Sequence, residues 1–293
     1  MAGITSMGRR VDALRSPAAM LSRLLSTAPA MEFVAYFALG AIAGLLAGLL
    51  GVGGGLVLVA ALAWLLPALG VPQEAAMHAA LASSLCSIVL TAASSARAHH
   101  RRGSVLWPTV AWMVPGVLAG GWLGSRFAIG LDDDVLRWCV GGYCLIAAAQ
   151  LLFGRTRARA DDAPAPRGPG YAAAGLGIGA VSAVVGIGGG SMTVPLLVWR
   201  GVAPVRAVGT SSACGVFIGL GSALGYALQA PPGALGLPGA VGYVYLPAAA
   251  GVAVASVLAA PLGTRLAHRL TGAALKRVFA AFLIAVGCSF FFQ

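Results

Sequence analysis

Gly51-Val52-Gly53-Gly54-Gly55 and Gly186-Ile187-Gly188-Gly189-Gly190 are one pattern written twice, 135 positions apart. Each lies inside an apolar stretch, 33–66 and 170–199. At ~1.5 Å per residue the first stretch would make a helix of roughly 50 Å, too long for a hydrocarbon core of ~30 Å. Each glycine lowers helix propensity by about 1 kcal/mol relative to alanine, so a run such as Gly53-Gly54-Gly55 is where the helix breaks. Both stretches are therefore expected to be two helical pieces that meet at the glycines and fold back.

The repetition extends outward from these breaks. Ser83-Ser84-Leu85-Cys86 matches Ser211-Ser212-Ala213-Cys214 at an offset of 128. Gly124-Ser125-Arg126 matches Gly263-Thr264-Arg265, and Leu136-Arg137 matches Leu275-Lys276, both at 139. Four matches in one order imply a duplicated module. Other apolar blocks cover 75–96, 104–125, 135–153, 207–228, 239–264 and 273–292. A polar linker carrying Arg155, Arg157, Arg159, Asp161, Asp162 and prolines divides the chain. The organisation read is an N-terminal arm 1–31, a membrane repeat 32–153, a cytoplasmic linker 154–169 and a second membrane repeat 170–293.

Composition sets the solvent. The 293 residues are 59% hydrophobic and 9% charged, with a mean hydropathy of +0.90. Roughly 25% charged is usual for a soluble domain, and disorder requires low hydrophobicity. The chain is read as an all-α, multi-pass integral membrane protein whose first partner is the lipid bilayer. The formal charge of +11 does not signal nucleic acid, because the arginines sit in short clusters between apolar blocks. The chain contains no Asn, hence no glycosylation sequon; with its Arg, Ala and Gly bias this points to a bacterial inner-membrane protein. Cys86, Cys139, Cys144, Cys214 and Cys288 are an odd set without a CxxC pair and read as buried free thiols. Asp12, Arg15 and Arg23 interrupt any apolar core in the arm, which argues against a signal peptide. No metal site, cofactor motif or catalytic residue is signalled. No Gly-Lys-Ser/Thr follows Gly53-Gly54-Gly55, so nucleotide binding fails.

Loop charge decides between parallel and inverted repeats. If each block crosses once, seven cationic residues fall on one side and eight on the other, leaving the arm aside. If each glycine block goes in and comes back, thirteen fall on one side and only Arg126 and Arg137 on the other. The positive-inside rule favours the second arrangement, two homologous inverted helical repeats each opening with a glycine-broken helix or re-entrant hairpin. Arg9, Arg10, Arg15 and Arg23 then lie outside, and four charges on a terminal arm weigh less than that contrast.

Inverted repeats with broken helices build transporter sites near the midplane. Here each break has hydroxyls on the following helix: Ser83 and Ser84, then Thr210, Ser211 and Ser212. Glycine breaks free backbone N–H groups, and the helix that follows presents a positive dipole end. All eight acidic residues fall in the arm, in loops or at block edges, whereas cation sites and proton relays usually need a carboxylate in the membrane. The substrate-binding residues expected are Gly51, Gly53, Gly54, Gly55, Ser83, Ser84, Gly186, Gly188, Gly189, Gly190, Thr210, Ser211 and Ser212, and the guest expected is a small oxyanion. The plainer expectation for Gly40, Gly44, Gly48, Gly175, Gly177 and Gly179 is helix packing.

The paired Gly-x-Gly-Gly-Gly breaks, the second followed by Val194-Pro195, together with Ala207-Val208-Gly209-Thr210-Ser211-Ser212, resemble the sulfite exporter TauE/SafE family of membrane permeases. The resemblance covers about residues 33–292. It implies a duplicated helical fold and outward transport of sulfite or a small organosulfonate. The first repeat departs from the pattern, with Ala60 where the second has Pro195 and Ala82 where it has Thr210. Two other classes stay open: a membrane scaffold without solute flux, and an intramembrane hydrolase built on Ser191 and His268. The exact anion, any proton coupling and the oligomeric state are left open.

Overall fold

The computed structural model describes residues 34, 36–45, 54–153, 165–267 and 272–291. The described residues are almost entirely helical. In chain order the helices are α1 (Tyr36–Leu45), α2 (Gly55–Ala68), α3 (Ala76–Arg101), α4 (Trp107–Ile129), α5 (Asp133–Phe153), α6 (Pro169–Val185), α7 (Gly190–Trp199), α8 (Pro204–Leu228), α9 (Leu246–Ala267) and α10 (Gly272–Phe291). A short 3₁₀ turn, Gln73–Ala75, leads into α3. Residues 1–31, Gly48, Gly51, Gly53, most of the 154–169 linker and His268 lie outside the described residues.

Two long helices form the centre. Gly219 packs on Leu85, Gly215 on Ala92, Ser212 bonds Ser95, and Gly209 meets His99, so α3 and α8 run antiparallel. Around them the other helices pack through small residues. Gly116, Gly120 and Gly124 of α4 lie on Ala172, Leu176 and Ala180 of α6, a parallel pairing at four-residue spacing. Such stripes let backbones approach where lipid removes the hydrophobic drive between helices. The contact is reciprocal across the repeats. Gly175 meets the Met113 carbonyl and Gly179 that of Val117, while Gly40 meets the Val252 carbonyl and Gly44 that of Ser256. Gly40 and Gly44 are 135 positions before Gly175 and Gly179; Met113 and Val117 are 139 before Val252 and Ser256. Thus α1 lies on α9, and α6 on α4. Among the glycines expected to pack, Gly177 has nothing within 4 Å of an added Cβ and faces outward. The α5–α10 contact is antiparallel, with Gly141 on Gly287 and Trp138 edge-on to Phe291.

The stretch 239–264 departs from the expectation of a helix throughout. Its first residues form a small antiparallel ribbon, Ala240 opposite Tyr245 and Val241 opposite Val244, before α9 begins at Leu246. Gly239 and Gly242 hold left-handed φ of 82° and 58°, which helices exclude and glycine alone adopts without strain.

The two ends of the bundle differ in charge. At one end stand Arg97, Arg101 and Arg102 of α3 with Arg167, Arg200 and Arg206. At the other stand Glu74, Asp132, Asp133 and Asp134 with Arg126 and Arg137. Asp133 organises the second end from the first turn of α5. Its carboxylate accepts the Met77 N–H (3.0 Å), meets His78 Nδ1 (3.0 Å) and pairs with Arg137 (3.5 Å). His78 Nε2 lies 3.1 Å from the Ala128 carbonyl, and its ring stacks on Tyr243 of the ribbon turn. Burial, with the Asp133 charge adding to it, raises the Tyr243 phenol above its usual range. This knot ties α3, α4 and α5 of the first half to the second. Sequence reading missed it, because 55 residues separate His78 from Asp133.

Candidate functional site

The second break is a hairpin. α6 ends at Gly186, whose φ of 76° lets its N–H and that of Ile187 both reach the Ser182 carbonyl (2.8 and 3.1 Å). That left-handed cap stops the helix. Gly189, at φ 73°, starts α7. The chain then runs back along α6. Gly189 comes against Ile178, and Arg200 at the end of α7 sits 5.7 Å over the Tyr171 ring at the start of α6. Both ends of the hairpin therefore stand at one level. Gly54 starts α2 in the same conformation, φ 63°, at the equivalent position of the first half. Leu58 N–H bonds the Gly54 carbonyl as Thr193 N–H bonds that of Gly189.

The two breaks touch. A Cβ on Gly55 would lie 2.7 Å from the Gly186 carbonyl oxygen and 3.1 Å from Ile187 Cα. Ser84 bridges them, its hydroxyl 3.2 Å from the Gly186 carbonyl and 3.4 Å from that of Gly55. Gly188 lies against Ile88 and Gly215, near the middles of α3 and α8. Among the expected site residues, the structure brings Gly55, Ser84, Gly186 and Gly188 together. Gly54, Gly189 and Gly190 adjoin them along the chain.

The remaining expected hydroxyls make other contacts. Ser83 accepts the Tyr245 N–H (3.0 Å) and Thr210 accepts the Leu106 N–H (3.0 Å). Leu106 and Tyr245 are 139 positions apart, and Ser83 pins the segment entering α9 as Thr210 pins that entering α4. Thr210 and Ser212 also donate to the carbonyls one turn back, of Arg206 and Val208, the ordinary habit of helical Ser and Thr. Ser211 is buried with its hydroxyl unpaired among the described residues. Ser191 has Tyr143 as its hydroxyl partner, 2.5 Å away. Cys86, Cys139, Cys144, Cys214 and Cys288 are free thiols, Cys144 and Cys214 fully buried.

The junction is closed. Gly188 has Ile88 Cγ2 3.0 Å from where a Cβ would stand; Gly186 is covered by Val59 and Leu81, and Gly189 by Ile218. Meanwhile Met192 and Thr193 donate to Gly189 (3.1 and 2.8 Å), which leaves the Gly190 and Ser191 N–H groups outside the α7 ladder. A gap of about 640 Å³ lies elsewhere, an apolar groove walled by α4, α5 and α6.

The family model described as sulfite exporter TauE/SafE matches residues 36–290. The chain belongs to that family. A probable membrane transporter protein of Haemophilus influenzae is 32% identical over 257 residues, covering 87% of this chain and 96% of the relative. One from Xylella fastidiosa is 31% identical over 84% of this chain and 90% of its own length. YunE of Bacillus subtilis, also named a probable membrane transporter protein, is 28% identical over 62% and 73%. No solved structure matches the chain. The family and its relatives support a membrane transporter protein, and among the described residues Gln73–Arg101 and Pro204–Leu228 are long and apolar enough to cross a membrane.

Proposed function

We propose that the protein is a multi-pass inner-membrane carrier that exports a small sulfur oxyanion, sulfite or an organosulfonate, through a midplane site at the two glycine breaks. Gly51, Gly53, Gly54, Gly55, Gly186, Gly188, Gly189 and Gly190 supply the breaks, and Ser83, Ser84, Thr210, Ser211 and Ser212 surround them. The observation that carries this reading is the meeting of Gly55 with Gly186 under the Ser84 hydroxyl, midway along α3 and α8. A few residues on, the α7 dipole and the Gly190 and Ser191 N–H groups outside its ladder favour an anion.

The repeats, 32–153 and 170–293, are inverted in this reading. Its support is that α3 and α8, and likewise α5 and α10, run antiparallel although they occupy equivalent places in the two halves. The arginine-bearing end, with the 154–169 linker, faces the cytoplasm by the positive-inside rule. An anion leaving a cell gains about 2.3 kcal/mol per charge per 100 mV, so export has a driving force without a coupling ion. Closed glycine faces fit a carrier whose halves rock apart to load and release.

Purified protein in liposomes loaded with labelled sulfite or methanesulfonate should release either anion faster than protein-free liposomes. Ser84→Ala should slow that release while still inserting. Wild-type liposomes no leakier than empty ones would remove transport of these anions.

A further inference from the structure

We propose that Thr193 is a substrate-binding residue at the second repeat's break. This rests on the anion-site reading above and adds a residue to it. Thr193 stands in the first turn of α7, is 0% exposed, and its Oγ1 has no hydrogen-bond partner among the described residues. That oxygen lies 3.5 Å from where a Cβ of Gly189 would be, so it points to the bare face of the glycine that starts the helix. Ile178 and Ile218 close the same face. The Gly190 and Ser191 N–H groups open from the same helix end. A buried hydroxyl beside two unladdered amides is a donor set for an oxyanion, and among the described residues that hydroxyl has nothing to bond.

The two breaks differ in this respect. At the 135-position offset Thr193 corresponds to Leu58, which is 1% exposed and wholly apolar. Ser191 corresponds to Leu56, and Ser182, another buried hydroxyl without a partner, to Ala47. Ser182, Ser191 and Thr193 thus have apolar residues at the matching positions of the first half. Ser83, Ser84, Thr210 and Ser212 on the long helices are already bonded to the protein itself. Leu56 and Leu58 therefore offer no hydroxyl where the second half carries Ser191 and Thr193.

The test uses detergent-purified full-length protein, Thr193→Val and Thr193→Ser, with sodium sulfite and sodium methanesulfonate against sodium chloride. Two quantities are read: the melting temperature without anion, and anion affinity by calorimetry. Val keeps the shape and removes an unbonded polar atom, so the anion-free Thr193→Val protein should melt at or above wild type. Its affinity for the stabilising anion should fall about tenfold, because a hydrogen bond to a charged group is lost. Thr193→Ser should bind within about threefold of wild type. A merely structural role would lower both readings together. Wild-type affinity in Thr193→Val overturns the inference and leaves the anion site standing. No binding of either anion by wild type overturns the anion-site reading as well.

Discussion

Substituting Gly55 by Ala tests the meeting of the two breaks at a single atom. Gly55 has an ordinary negative φ, so the backbone accepts alanine, and the first residue of α2 gains helix propensity of up to about 1 kcal/mol. Against that gain stands a new methyl 2.7 Å from the Gly186 carbonyl oxygen, with Ile187 Cα and Ile88 Cδ1 both 3.1 Å away. Two of the three obstacles are backbone. Gly186 cannot retreat without giving up the left-handed cap that binds its N–H to Ser182. Overpacking of this kind costs about 1–3 kcal/mol. The net expectation is a loss of roughly 1–2 kcal/mol, or about 2–8 °C in melting temperature at ~2–4 °C per kcal/mol for a chain of this size. Tryptophan-fluorescence melting of the purified protein, with liposome flux beside it, reads both consequences: lower stability and slower release. Gly177→Ala is the control, since a Cβ there meets nothing and the substitution should leave stability equal or raise it by up to about 1 kcal/mol. Gly55→Ala melting at or above wild type would refute the approach of the breaks.

Other expectations follow from the same contacts. Gly179→Ala places a methyl 2.5 Å from the Val117 carbonyl, and Gly44→Ala presses likewise on Ser256; each should destabilise by about 1–3 kcal/mol, and a loss at only one would disprove the reciprocal packing. Asp133→Ala leaves His78 and Arg137 buried without their carboxylate and should cost about 3 kcal/mol. Asp134→Ala, with its side chain 85% exposed, should stay within about 0.5 kcal/mol by the same melt. In a cysteine-free background, Asp132→Cys should react with an impermeant maleimide in spheroplasts and Arg102→Cys only after lysis; the reverse pattern would invert the membrane orientation.

The break at Gly186–Gly190 was legible before any coordinates, because glycine penalises a helix locally and the run recurs. So were the packing roles of Gly40, Gly44, Gly175 and Gly179, whose four-residue spacing marks one helix face. Gly177 shares their neighbourhood but not their face, and spacing by two turns it outward. The start of α9 was misread because the ribbon at 240–245 is as apolar as a helix, and composition does not report the left-handed φ of Gly239 and Gly242. Thr193 escaped notice because one threonine among leucines carries no local signal. Its meaning lies in the absence of a partner, which only neighbours from elsewhere in the chain define.

What sequence alone determined is what depends on near neighbours and on total composition: an apolar, helical chain and the helix stop at Gly186–Gly190. Tertiary structure decided which hydroxyls are already bonded and which are free, that the halves exchange helices, and that a histidine and an aspartate knot one end. The physical reason is range. Helix propensity and hydropathy act over a turn or two, whereas the Ser84 bridge to Gly186 spans 102 positions and exists only once the halves are packed.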